Sequence, residues 1–200
     1  MRVATQQWTL ERVMHELSRE QAMELWSSLP APDPDEVDGE YTGHVHDGGD
    51  ETVRKAKHAF FYASKVGFWL GKAYRPASHS EGEGYNCFRQ PDGSVARFRR
   101  FATELGLFRL DGRRSLLMYY RAFDNMAGDM DLIDEIRRLH EGAYICTYTG
   151  TSDVPGFATL KPGETRTEPE LFALSGPIGP WVGVDDRSLE SHQLIWPRGR

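Results

Sequence analysis

Apolar residues recur along this chain with two periods, and the change from one to the other divides it. From Thr9 to Leu29 the spacing is helical, with Leu10, Val13, Met14 and Leu17 followed by Ala22, Met23, Leu25 and Trp26. Ser18 with Gln21 three residues on has the form of a capping box that starts a second helix. Pro30 to Asp38 breaks the pattern and reads as a linker. Tyr41 to His46 fits a short strand, Gly48-Gly49-Asp50 a turn, and Glu51 to Lys65 a helix on Val53, Ala56, Phe60 and Ala63. Beyond it the period drops to two. Gly67 to Arg75, Gly84 to Arg89, Ser94 to Ala102, Leu105 to Leu110, Ser115 to Phe123, Ala143 to Tyr148 and Leu171 to Leu174 are short, rich in aromatic or β-branched residues, and bounded by turn residues. Pro91-Asp92-Gly93 and Asp111-Gly112 join consecutive runs as antiparallel hairpins. Asp131 to His140 interrupts the series with a helical spacing, and Gly176 to Pro180 reads as a rigid loop leading to Trp181.

Ser115 to Phe123 is apolar on both faces, with Leu117, Tyr119 and Phe123 on one and Leu116, Met118, Tyr120 and Ala122 on the other. A sheet wetted on one side alternates cleanly, so this strand predicts cover outside and a lined interior within, as in a barrel wall. Tyr144, Cys146 and Tyr148 share one face of the next strand, which places phenols in an otherwise apolar space, the composition of a small-molecule pocket. Glycines flank Tyr41 in Gly39-Glu40-Tyr41-Thr42-Gly43, an arrangement that lets a large ring plug one end of a barrel. The expected fold is mainly β: an antiparallel barrel over residues 31–185, a helical appendage over 1–30, a short helix between late strands, and a polar tail over 186–200.

A chain of 200 residues with 39% hydrophobic content fills one sizeable core. The net charge of -6, with no basic cluster beyond Arg97, Arg99 and Arg100, argues against a nucleic-acid partner. No stretch reaches the roughly 20 apolar residues that span a bilayer, and Gln6, Gln7 and Glu11 stand where a signal peptide needs an apolar run. The expectation is a cytoplasmic chain with no membrane partner, with a homodimer left open. Cys87 and Cys146 lack CxxC spacing and read as small buried hydrophobes, one disulfide between them being the alternative.

The order of an N-terminal helix ending in Leu29-Pro30, the Gly39-x-Tyr41-x-Gly43 element, a helix, the strand Gly67-Phe68-Trp69-Leu70-Gly71-Lys72 and a later Asp134-Glu135-x-Arg137 segment resembles lipocalin-like, or calycin-like, proteins of the GxWxG type, with Tyr41 standing where that pattern has tryptophan. Such a resemblance implies an antiparallel calycin-type barrel around a hydrophobic ligand. Some barrels of that type are cyclases, isomerases, decarboxylases or hydratases, so fold analogy does not separate carrier from catalyst.

Three constellations carry candidate chemistry. His44-Val45-His46 with Asp47 and Glu51 has the shape of a first cupin motif, but no second histidine motif follows and no metal or other cofactor is expected. Asp134, Glu135, Arg137 and His140 form the second: on a helix Asp134 and Arg137 stand at i, i+3 and would pair on its surface, or the helix would sit over the open end and aim a carboxylate or Arg137 into the cavity as acid, base or anion clamp. Tyr85-Asn86 with Tyr119, Tyr120, Tyr144 and Arg121 would place phenols beside a guanidinium, able to donate to a carbonyl or stabilise an enolate. The expected catalytic set is therefore Tyr85, Tyr120, Arg121, Asp134, Glu135 and Tyr144. The expected ligand wall is Tyr41, Trp69, Asn86, Phe98, Met118, Tyr119 and Tyr148. The leading expectation is a module binding a hydrophobic or aromatic small molecule. A cofactor-independent lyase or isomerase and a cupin-like metalloenzyme are the alternatives.

Overall fold

The computed structural model describes residues 8–49, 51–108, 111–123, 125, 130, 132–149 and 168–185. The expected tail over 186–200 lies outside them.

Two helices open the described chain. Helix α1 (Leu10–His15) is capped by the Thr9 side chain, and α2 (Arg19–Ser28) by the capping box, in which Ser18 N donates to Gln21 Oε1 at 2.9 Å and Gln21 N to Ser18 Oγ at 3.3 Å. Their buried side chains Val13, Met14, Ala22 and Trp26 pack on Ile145, Leu171 and Ala173. After a 3-10 turn at Pro34–Glu36, eight strands follow: β1 (Gly39–Val45), β2 (Phe68–Pro76), β3 (Glu81–Arg89), β4 (Val95–Leu107), β5 (Arg114–Tyr119), β6 (Ile133–His140), β7 (Ala143–Thr149) and β8 (Glu170–Gly179). Each pairs antiparallel with the next, and β8 pairs with β1, so the sheet closes into a barrel without a free edge. Helix α3 (Glu51–Tyr62) lies between β1 and β2.

The structure corrects four element boundaries. The runs expected at Ser94 to Ala102 and Leu105 to Leu110 merge into the single long strand β4, which ends at Leu107, residues 109 and 110 lying outside the described ones. Strand β5 stops at Tyr119, and Tyr120–Ala122 is a 3-10 turn. The presumed loop at Gly176 to Pro180 continues β8 as far as Gly179. Asp131 lies outside the described residues, and in place of the helix expected over Asp131 to His140, residues 133–140 form strand β6. Its charges suggested a solvated helix face. Instead, Asp134 faces the barrel interior, while Glu135 and Arg137 on the outer face pair with Thr147 and with Ser115 and Asp111. Closing the ring between β5 and β7 outweighs local propensity.

The interior is layered. At one end Tyr41, Tyr74 and Tyr144 form T-shaped contacts at 5.7–5.8 Å, and the hydroxyls of Tyr41 and Tyr144 donate to Glu36 O at 3.3 and 3.2 Å. These rings plug the barrel under the Pro34–Glu36 turn. Phe101 and Met118 stack above them, Met118 Sδ accepting from the Tyr74 hydroxyl at 3.0 Å. At the other end Phe61 of α3 packs on Trp69 and Tyr148, with ring centroids 4.8 and 5.6 Å apart.

Helix α3 is tied to the wall by Lys57, fully buried, whose Nζ meets Glu170 Oε2 at 2.8 Å and donates to Gly48 O at 3.2 Å. A matching buried cation, Arg137, ties α2 to the barrel. It lies 3.9 Å from the Trp26 ring centroid and donates to Ser27 O, Trp26 O, Ser115 Oγ and Asp111 Oδ1. Cys87 is buried on the outer face with Ala73 and Tyr85, and Cys146 inside the barrel, so the wall separates them and both are free thiols.

Candidate binding site

Two departures from strict alternation assemble the site. In β2 the register shifts between Trp69 and Gly71, a bulge that turns both Trp69 and Lys72 inward where simple alternation would oppose them. Gly71 permits it: its φ of +142° suits glycine, and a Cβ there would overlap Tyr41 O and Gly43 N. In β4 Arg99 has a left-handed φ of +57°, a conformation that costs a non-glycine residue about 1 kcal/mol or more. It brings a buried guanidinium to the cavity, 5.5 and 5.9 Å from the centroids of Phe88 and Phe98.

The result is a cavity of about 30 Å³ between α3 and the middle of the barrel. Its apolar wall is Phe60 and Phe61 of α3, Trp69, Phe88, Met130, Leu132, Phe172 and the ring of Tyr148. Its polar side is Lys72, Asn86, Arg99, Tyr120 and Asp134. Lys72 Nζ lies 3.0 Å from Asp134 Oδ2, donates to Asn86 Oδ1 at 3.0 Å, and makes a short contact with the Tyr120 hydroxyl. Tyr120 in turn donates to Asp134 Oδ2 at 3.2 Å and accepts from Asn86 Nδ2 at 2.9 Å. Trp69 Nε1 donates to Asn86 Oδ1 at 3.0 Å and Asn86 Nδ2 to Arg99 O at 3.1 Å, which fixes the amide orientation. Four aromatic centroids, those of Trp69, Phe101, Tyr120 and Phe172, stand 5.0–5.8 Å from the ammonium.

Burial dominates the electrostatics here. It pushes the Lys72 ammonium below the ordinary lysine value and Asp134 above the ordinary aspartate value, while each charge opposes the other's shift. It also holds the Tyr120 phenol well above its usual range, so that hydroxyl stays protonated at neutral pH. Asp134 Oδ1 and the Tyr148 hydroxyl are buried with no hydrogen-bond partner among the described residues.

Five of the residues expected from the sequence meet at this cavity: Trp69, Asn86, Tyr120, Asp134 and Tyr148. The others stand elsewhere. Tyr85 is on the outer face, its hydroxyl donating to Glu40 Oε1 at 2.9 Å and accepting from Val182 N and Gly183 N. Tyr119 faces outward and donates to Glu104 Oε1 at 3.0 Å. Arg121 is exposed, on the 3-10 turn after β5. Glu135 is buried outside the barrel against Thr147. Tyr41 and Tyr144 belong to the plug, Met118 lies on Tyr74, and Phe98 is stacked on Phe88 at 4.7 Å, behind the cavity lining. Sequence reasoning missed Lys72 and Arg99 as site residues, along with the aromatic wall from Phe60, Phe61, Phe88 and Phe172.

His44 of β1 and His46 just beyond it are used structurally. His44 Nε2 pairs with Ser175 Oγ at 2.8 Å, and His46, fully buried, accepts from Gly48 N at Nδ1 and meets Leu17 O through Nε2. That assigns His46 as the neutral Nε2–H tautomer, and burial lowers its pKa accordingly. Asp47 sits between His15 of α1 at 2.7 Å and His58 of α3 at 3.1 Å. Among the described residues no three His, Cys, Asp or Glu groups converge to hold a metal ion.

No family model matches the chain, and no curated protein matches it. Among solved structures it is similar in fold to the crystal structure of a protein from Thermomonospora curvata, with a TM-score of 0.51 and 19% identity over 83% of this chain and 92% of that one. This likeness shows the antiparallel barrel and nothing of the chemistry. No helix among the described residues is long and apolar enough to cross a membrane.

Proposed function

We propose that the protein binds a small hydrophobic or aromatic molecule inside the barrel, beneath α3, with Lys72, Asp134, Tyr120 and Asn86 as its polar floor. The observation that carries this reading is a fully buried ion pair at the end of an aromatic-lined cavity. A buried pair is seldom more stable than the apolar residues that would replace it, so this one supports recognition better than stability. At about 30 Å³ the cavity has room for about one water, so a ligand must displace Phe60 and Phe61, which makes α3 the mobile wall. The cation anchoring α3, Lys57, grips Glu170 at the start of β8, so that anchor has to yield when the helix moves.

The test is titration with N-phenyl-1-naphthylamine, a neutral fluorophore. Saturable binding at one site per chain is expected, abolished by Leu132→Trp, which fills the cavity. Absence of saturable binding to the folded protein refutes the proposal.

A second reading is a cofactor-independent lyase or isomerase. The observation favouring it is the Tyr120 hydroxyl, held between the Lys72 ammonium and the Asp134 carboxylate as a proton relay would be. Turnover of any carbonyl substrate that disappears in Tyr120→Phe while ligand affinity persists would select it.

A further inference from the structure

On the cavity wall, two oxygens stand unused. Asp134 and Tyr148 are directly paired across β6 and β7, both line the cavity, and both are at most 5% exposed. Asp134 spends Oδ2 on Lys72 and Tyr120, while its Oδ1 and the Tyr148 hydroxyl have no hydrogen-bond partner among the described residues. Buried polar atoms are nearly always satisfied, so an adjacent pair of exceptions on one wall marks a place where something else supplies the bonds. Directly opposed residues carry their Cβ atoms about 5 Å apart, so both side chains leave the wall at the same level of the barrel.

The chemistry of the two atoms specifies that group. An ionised carboxylate oxygen only accepts. The phenol, pushed above its ordinary range by burial, keeps its proton and donates. Lys72 has no donor left to offer, because its three N–H bonds point to Asp134 Oδ2, Asn86 Oδ1 and Tyr120. A carboxylate placed here brings no proton for Asp134 Oδ1 and repels it, and since Lys72 is committed, the cation offsetting that repulsion would have to be the Arg99 guanidinium, which also lines the cavity.

Building on the binding function proposed above, we infer that Asp134 Oδ1 and the Tyr148 hydroxyl form a two-point reader for a neutral amide carried on an apolar body. The amide N–H donates to Asp134 Oδ1 and its carbonyl accepts from Tyr148. The aromatic wall takes the rest of the ligand. Selectivity then falls on the head group, since a carboxylic acid of the same outline loses its donor on ionisation and a hydrocarbon leaves both protein atoms unpaired.

Calorimetric and thermal-shift titration of the full chain with benzamide, benzoate and ethylbenzene tests this. Benzamide is expected to bind about tenfold or more tightly than benzoate. Tyr148→Phe, which keeps the ring, should lower benzamide affinity about fivefold to tenfold and leave ethylbenzene unchanged. Benzoate binding as well as benzamide overturns the inference. Benzamide binding that is indifferent to Tyr148→Phe overturns it too, and means that a trapped water satisfies the pair. Ethylbenzene binding with no preference for benzamide defeats the reader while leaving the barrel a ligand site. Failure of all three to bind defeats both. The comparison among probes is made on the unaltered protein, so it holds even if the variant folds poorly.

Discussion

Replacing Lys72 by methionine leaves Asp134 buried and without its cation, and the size of the loss follows from the site. Breaking one side of a buried pair costs about 3–5 kcal/mol. Asp134 has one escape, which is to take a proton. From the ordinary aspartate value of 3.8, staying protonated at pH 7 costs about 4 kcal/mol, at about 1.4 kcal/mol per pH unit, so neutralisation caps the deficit near that figure. The direction with pH then follows. Burial raises the carboxyl's pKa in the folded state, and without Lys72 nothing of opposite charge opposes that rise at 3.0 Å. Between 3.8 and the raised value the folded variant holds more protons than the unfolded chain, so its stability falls as pH increases through that window. Urea unfolding followed by tryptophan fluorescence should show a deficit relative to wild type of about 4 kcal/mol at pH 7, shrinking toward about 2 kcal/mol at pH 5. Lys72→Met combined with Asp134→Leu should recover most of it, because both charges leave together. A deficit below about 1 kcal/mol that does not change with pH would refute the reasoning, since it would mean Asp134 stays hydrated and is not part of a buried pair.

Gly43→Ala should cost about 2–4 kcal/mol by chemical denaturation, because the added Cβ overlaps the Trp69 indole, which is packed on Phe61 and bonded to Asn86. Arg137→Met should lower stability by about 3–5 kcal/mol and weaken protection of α2 in hydrogen exchange, since it strips Ser27 O and Asp111 of a fully buried partner. Tyr144→Phe should cost about 1 kcal/mol and leave probe affinity unchanged, because its hydroxyl bonds Glu36 O at the plugged end, away from the cavity.

The barrel was legible because period-two runs with turn residues between them survive any error in boundaries, and because Ser115 to Leu117 is buried on both faces as the sequence implied. The late helix was not. Leu132, Ile133, Ile136 and Leu139 satisfy a helical spacing, and nothing local says that β5 and β7 leave a gap one strand wide. Tyr85 shows a second limit. Adjacent residues in a strand point to opposite sides, so Tyr85 and Asn86 had to be divided between wall and interior. Which of them faced inward depended on Trp69, Lys72 and Tyr120, residues far away in sequence, waiting to bond the amide.

Lys72 is the instructive omission, and its signal was present. In Gly67 to Arg75 a single lysine lies among aromatic and aliphatic residues, and a glycine precedes it inside the strand. An interior glycine marks a bulge or a close backbone approach, and Gly71 is both, pressed against Tyr41 O and Gly43 N while the register slips. With strict alternation Trp69 and Lys72 would stand on opposite faces, the lysine could not sit among four rings, and the indole could not reach Asn86. The slip of one residue places them together. Two glycines therefore do linked work. Gly71 turns the lysine inward, and Gly43 leaves the space that the indole fills above it. The place of Lys72 in the polar floor is a product of backbone irregularity in β2, so the proposed binding role depends on small residues that no inspection of charged or aromatic side chains alone would select.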